Sequence, residues 1–259
     1  MAGGRLEGRV AVVTAAGSGM GRAGAIRFAA EGAHVWVTDL DGTAAEETVA
    51  AIAAAGGSAT ARQVDVTDVD ALRALFAEVD REHGVLHVLW NHAGIPGPAG
   101  LAGTEEEWQL TIDVNAKSAY FGTALAEDLL ERAAGKASVL FTSSVSGLVA
   151  SPSGPAYALA KGGIVLLMKS LAVSLGPKGI RCNAICPAAV ETPMLRDFFR
   201  GVPAEQHEEF KQSFVAATVP LGRLFSPEEV ASVALFLACD DSSAVTGVAL
   251  PVDGGYTAK

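Results

Sequence analysis

Short, β-branched apolar runs alternate with long alanine-rich stretches of helical spacing, and this alternation limits what the chain can fold into. Runs at residues 9–14, 34–39, 59–65, 86–91, 137–143, 180–186 and 248–252 read as strands. Helical stretches lie near 20–31, 42–55, 68–83, 104–133, 155–176, 204–216 and 227–238. Strands that are apolar throughout bury both faces, as in a parallel sheet covered by helices. Right-handed crossovers then give an α/β, doubly wound sheet of about seven strands with helices on both faces. No repeat, low-complexity tract or linker divides residues 1–259, so a single domain is expected. The stretch from Pro187 to about Val219 exceeds a simple connection, and 188–219 is expected to form a mobile lid beside the site.

The net charge is −10 and no basic stripe appears, which argues against a nucleic-acid partner. No run of eighteen apolar residues suggests a membrane span, and residues 1–8 lack a charged-then-apolar leader. Cys182 and Cys186, four apart on a strand, lie ~13 Å apart and cannot bridge. With Cys239 they read as reduced packing residues, and a cytoplasmic location is expected. The five histidines show no metal-ligand spacing, and Glu105, Glu106 and Glu107 read as a solvated helix start.

The first strand runs into Thr14-Ala15-Ala16-Gly17-Ser18-Gly19-Met20-Gly21. Glycines in such a strand-to-helix turn allow close backbone approach, and the helix N-terminus points unpaired N–H groups at a phosphate. A match to G-x-G-x-x-G at Gly19–Gly24 starts too far past the strand to be read in the usual register. A lone glycine turn is weak evidence. Asp39, with Leu40 after it, ends the second strand 18 residues beyond Gly21. An acid there accepts hydrogen bonds from an adenosine ribose and repels a 2′-phosphate, so NAD is favoured over NADP. The competing reading of Asp39 is a turn residue ahead of Asp41-Gly42.

Tyr157 and Lys161 stand four apart on a helical stretch, hence on one face. A phenol titrates near ~10, and moving it toward ~7 requires ~4 kcal/mol. One cation near ~4 Å, at an effective dielectric of ~20, supplies about that much. Ser144, at the end of a strand, stands at the edge where ligands of open α/β sheets bind. A hydroxyl there can stabilise charge growing on an alkoxide. Asn115 falls inside a helical stretch, where asparagine is unfavourable and suggests a kink. Trp90 and His92 read as packing residues.

Taken in order, the glycine turn, Asp39, Asp65-Val66, Asn91-His92-Ala93-Gly94, Asn115, Ser143-Ser144, Tyr157 with Lys161, Pro187, Thr192 and Asp253-Gly254-Gly255 resemble the short-chain dehydrogenase/reductase family over nearly the whole chain. The resemblance implies a Rossmann-like fold and an NAD-dependent oxidoreductase that interconverts a secondary alcohol and its ketone. By position it implies that Tyr157 is the general acid/base and that Lys161 lowers its pKa and binds the nicotinamide ribose. It implies that Ser144 bonds the reacting oxygen and that Asn115 holds a water behind Lys161. Gly17, Ser18, Gly19, Met20, Gly21, Asp39 and Leu40 would take the diphosphate and adenosine. Asp65 and Val66 would border the adenine, Asn91, Ala93 and Gly94 would line the cofactor, and Pro187, Val190 and Thr192 would reach its carboxamide end. A homotetramer, or else a dimer, is implied.

Three positions depart from the family pattern. Ala15 replaces a turn glycine, which is tolerable only if its φ stays negative. His92 replaces an asparagine, and Ala188 replaces a glycine and narrows the space near the nicotinamide. The expected substrate pocket takes in Ile95, Ser144, Leu148, Ala188, Met194, Phe198 and Phe199. It is mostly apolar and without an arginine clamp. That suits a neutral, fairly hydrophobic secondary alcohol or ketone, cyclic ones included. Two rivals stand further off. An NAD-sensing regulatory protein without catalysis need not keep Asn115, Ser144, Tyr157 and Lys161 together. Enoyl reductases of related type resemble a wider Tyr-to-Lys spacing.

Overall fold

The structure is a computed structural model in which residues 4–151, 154–195 and 203–258 are described. Seven parallel strands form one sheet: β1 (Val10–Thr14), β2 (His34–Asp39), β3 (Ser58–Gln63), β4 (Val88–Asn91), β5 (Ala137–Thr142), β6 (Ile180–Pro187) and β7 (Ala249–Val252). Their order is β3-β2-β1-β4-β5-β6-β7. β1 pairs with β2 on one side and β4 on the other, so the strand order reverses there and leaves a crevice at the carboxyl ends. The central strands are buried throughout, which is why they read as continuous apolar runs. β3, at the edge, is partly exposed and starts one residue earlier than its composition suggests.

The pleat divides the core in two. Val12, Leu89, Val139 and Phe141 face one side, against helices α3 (Val69–His83), α5 (Ser118–Glu131) and α6 (Pro155–Leu175). Val13, Val35, Trp90 and Ile185 face the other, against α1 (Gly19–Ala30), α2 (Gly42–Ala54) and α8 (Pro227–Ala238). α1 can approach the sheet only because Gly24 lacks a Cβ, since a methyl there would run into the Trp90 ring. Cys182, Cys186 and Cys239 are buried free thiols.

The helix expected over 104–133 is not continuous. α4 (Glu105–Ile112) and α5 are separated by a π turn at Asp113–Lys117. Asn115 sits in this turn, buried, and its amide donates to the Thr111 carbonyl one turn back (2.9 Å). Such wide turns open a helix locally at the expense of regular i→i−4 bonding. The polar side chain both explains the break and fills it. Likewise the helix expected at 204–216 begins later: a short 3-10 turn, Ala204–Gln206, leads into α7 (His207–Thr218).

Among the described residues, α6 with the turn after it (Pro155–Lys178) is long and apolar enough to cross a membrane. Here one face of it packs on the sheet, burying Ile164, Met168 and Ala172 together with Tyr157 and Lys161.

Candidate active site

A cavity of about 500 Å³ opens at the carboxyl edge of the sheet, over the point where the strand order reverses. The turn after β1 contributes Ala15, Ser18, Gly19 and Met20, and β2 ends in it with Asp39. His92 and Gly94 follow β4, and residues 142–146 follow β5. Tyr157 and Lys161 enter from the first turns of α6. Pro187, Ala188, Val190, Thr192 and Met194 close the β6 side, while Phe210 and Phe214 of α7 and Tyr256 form the outer wall.

Thr14 organises the floor. Its hydroxyl accepts from the backbone N–H groups of His92 (2.9 Å) and Ala93 (3.0 Å), tying the ends of β1 and β4 together. Ser18 begins α1 without a side-chain cap, so no serine hydroxyl competes for the N–H groups of its first turn. Asp39 Oδ2 accepts from Gly17 N (2.8 Å) and Oδ1 from Asp41 N (3.0 Å). The carboxylate thus closes the glycine turn and keeps lone pairs for further donors. Ala15 has φ +52°, the only positive value outside glycine among the described residues. The methyl is held in the left-handed region, at a cost of about 1–2 kcal/mol. The condition that would have made this departure harmless is not met.

The side formed by the end of β5 and the start of α6 is dense with buried polar groups. Lys161 Nζ donates to the Thr142 carbonyl (2.8 Å), and Ser143 Oγ donates to the Lys161 carbonyl (2.8 Å). Those bonds pin α6 to the end of β5 and leave Ser144 as the hydroxyl that bonds the Tyr157 phenol. Gly94 lies between Asn115 and Lys161, where a Cβ would meet Asn115 Oδ1 at 2.8 Å and Lys161 Nζ at 3.0 Å. Asn115 also accepts from Ile95 N (3.2 Å) and donates to its carbonyl (2.9 Å).

Burial dominates the electrostatics. It pushes the Tyr157 phenol up to about 12, opposed by the hydrogen bond from Ser144. It brings Lys161 down to about 8, offset in part by Cys186. Burial thus acts on the phenol in the direction opposite to the lowering that the resemblance implies for Lys161. Nζ lies 5.6 Å from the phenol ring centroid and is engaged by a carbonyl. Its charge does not outweigh the loss of water around the phenol. A phenol in this state holds its proton firmly, which suits the acid role in ketone reduction.

A family model described as "Enoyl-(Acyl carrier protein) reductase" matches residues 14–257. The cyclohexanol dehydrogenase of Acinetobacter sp. (strain SE19) is 34% identical over 259 residues, covering 98% of this chain and 97% of that protein. The chain belongs to the short-chain dehydrogenase/reductase family. The meso-2,3-butanediol dehydrogenase of Serratia marcescens is 36% identical over 256 residues, covering 98% and 97%. A crystal structure of levodione reductase superposes with a TM-score of 0.92 at 31% identity, covering 98% of this chain and 99% of that one. As a short-chain dehydrogenase/reductase, the protein is an oxidoreductase acting on CH–OH groups, and members of the family use nicotinamide cofactors.

Not every residue singled out in the sequence reaches the cavity. Gly17 and Gly21 are buried and do not line it, and Leu40 is exposed. The Asp65 carboxylate accepts from Thr67 N and Oγ1, and Val66 packs on the core. Asn91 turns its amide to Thr123 on α5 (3.1 Å). Ile95 acts through its backbone on Asn115, and Leu148 packs on the core. Phe198 and Phe199 lie outside the described residues. Conversely, Thr142, Phe210, Phe214 and Tyr256 line the cavity and were not read from the sequence. Tyr256 follows Asp253-Gly254-Gly255, and that adjacency was the available signal.

Proposed function

We propose that the enzyme uses NAD(H) to interconvert a neutral, fairly hydrophobic secondary alcohol and its ketone, with Tyr157 as the general acid/base. One observation carries this reading: Tyr157, bonded by Ser144, shares a cavity with Lys161 directly beside the glycine turn. A nicotinamide dinucleotide supplies the hydride donor or acceptor when bound. The chain's residues fit one. The uncapped start of α1 suits a diphosphate, and Gly94 lines the cavity without a side chain. Ser144 and Tyr157 would hold the substrate oxygen, and the phenol would give it a proton during reduction or take one during oxidation. Lys161 would place a positive charge beside the phenolate left after proton donation, and Asn115 would keep Lys161 and the loop at Ile95 in register.

NAD rather than NADP is supported by Asp39, an acidic residue that lines the cavity at the end of β2 and would repel a 2′-phosphate brought near it. Asp39→Ala is expected to raise relative turnover with NADPH, and an unchanged preference would assign the choice elsewhere. A neutral substrate is supported by the outer wall. Met194, Leu195, Phe210 and Phe214 are apolar, and Lys161 is the one cationic side chain among the described cavity residues. The names of the cyclohexanol dehydrogenase and levodione reductase, similar proteins both, point the same way. A panel of alcohols assayed with NAD tests this. Turnover of neutral secondary alcohols supports it, and activity confined to acidic or phosphorylated substrates rejects it.

Residues 188–219 would act as a lid, and NADH should slow hydrogen exchange there. The chain would work as one domain and as a homotetramer. Leu159, Leu166 and Val173 form an exposed apolar stripe seven residues apart on α6, and Trp108, Leu110 and Tyr120 are exposed on α4 and α5. A monomeric mass by light scattering at micromolar concentration would contradict assembly. Buried free thiols suit a reducing, cytoplasmic setting, to be checked by fractionation. The NAD-sensor reading draws no support from the relatives, which are named as enzymes.

A further inference from the structure

One polar group in the cavity has no task in the chemistry described so far. Trp90 and His92, at the end of β4, both reach the side chain of Thr142 at the end of β5. Trp90 Nε1 and His92 Nδ1 each lie 2.8 Å from Thr142 Oγ1. An indole N–H can only donate, so the hydroxyl accepts from Trp90. Its own proton then has His92 Nδ1 as its acceptor among the described residues. The opposite tautomer would leave a buried hydroxyl proton unpaired, a loss of about 1–3 kcal/mol. His92 is therefore fixed with its proton on Nε2.

Burial, with the charge of Lys161 adding to it, pushes the imidazole down to about 3, so the ring is neutral. It also packs against Trp90, with ring centroids 4.9 Å apart and planes tilted by 54°, which limits its rotation. The ring makes its one hydrogen bond to a described residue through Nδ1, which leaves Nε2–H for another acceptor, and the ring lines the cavity. Its Cδ2 edge, next to Nε2, lies against the first turn of α1, where a methyl on Gly21 would come within 2.8 Å. The result is a neutral N–H donor with fixed tautomer, beside the first turn of α1, whose N-terminus has no side-chain cap.

We propose that His92 is a cofactor-binding residue whose Nε2–H donates to a diphosphate oxygen of the dinucleotide at the start of α1. This rests on the dinucleotide reading above and adds to it a side-chain donor on the β4 side, working with the backbone donors of the glycine turn. Thr142 is the positioning residue, because it selects the tautomer.

The test compares binding of NADH, ADP-ribose and AMP by calorimetry. ADP-ribose keeps the diphosphate, whereas AMP lacks it. His92→Phe keeps a ring and removes the donor. It is expected to weaken NADH and ADP-ribose about tenfold, as for loss of a hydrogen bond to a charged group, with AMP within about twofold. His92→Gln places an amide N–H near the position of Nε2 and is expected to recover most of the loss. Thr142→Val frees the tautomer and should weaken ADP-ribose severalfold, again without affecting AMP, which keeps the question open to test should His92→Phe fail to fold. Equal weakening of AMP and ADP-ribose would mean that His92 only supports the fold. Unchanged ADP-ribose binding in His92→Phe would overturn the proposal while leaving the dinucleotide reading intact. A wild-type protein that binds neither NADH nor ADP-ribose would overturn both.

Discussion

The two walls of the cavity are built differently. The inner wall, from the ends of β1, β4 and β5 and the start of α6, is held by buried polar groups that pair with backbone: Thr14 to the loop after β4, Lys161 to Thr142, Ser143 to Lys161, Asn115 to Ile95. The outer wall, from Met194, Leu195, Phe210, Phe214 and Tyr256, presents mostly apolar surface from segments far apart in the chain. Directional bonds fix the inner groups in position, as proton and hydride transfer require. Apolar contacts tolerate changes of shape, as suits a wall that selects the substrate. Chemistry and specificity should therefore respond to different mutations.

The largest separation is expected at Lys161. Lys161→Met removes the charge beside the phenol and the tie to Thr142, and turnover should drop about 10³-fold. Near-normal kcat would break the assignment of the inner wall. Next comes the outer wall. Phe210→Ala combined with Phe214→Ala should raise KM for a bulky hydrophobic alcohol about tenfold, as for loss of a few buried methylenes' worth of contact. NADH affinity should stay unchanged, and a parallel loss of NADH binding would mean that the walls are not separable.

A smaller effect concerns pH. Lys161, brought down to about 8 by burial, is charged below that value and loses its charge above it. An anionic dinucleotide is favoured by the charged form, so NADH affinity should fall as pH rises through about 8, and the profile of Lys161→Met should be flatter there. The smallest effect is at Ala15. Glycine accepts φ +52° without the methyl penalty but loses more entropy on folding, so Ala15→Gly should stabilise by only about 0.5–1 kcal/mol. That amounts to a rise of about 1–4 °C in Tm. A lower Tm would show that the turn is not strained.

The same contrast governs what could be read from the sequence. Apolar strand runs, the glycine turn and the Tyr157–Lys161 spacing are local patterns, and they locate the sheet, the crevice and the inner wall. Asn115 was legible as an anomaly in a helical stretch, but the π turn that resolves it depends on partners in the loop after β4. Phe210 and Phe214 could not be assigned, because an apolar residue on α7 looks alike whether it faces the core or a cavity. Tyr157 illustrates a related point: spacing shows that a cation is near, and only the fold shows how completely water is removed around the phenol. His92 looked like packing because its hydroxyl partner, Thr142, is fifty residues away in the chain.

The central claim is that the Tyr157 phenol transfers the proton while the neighbouring groups only hold cofactor and substrate. Turnover of Tyr157→Phe, measured together with its NADH dissociation constant, tests this most directly. The expected result is a loss of about 10³-fold or more in kcat with NADH affinity within about twofold of wild type. Retained turnover in that variant would contradict the claim.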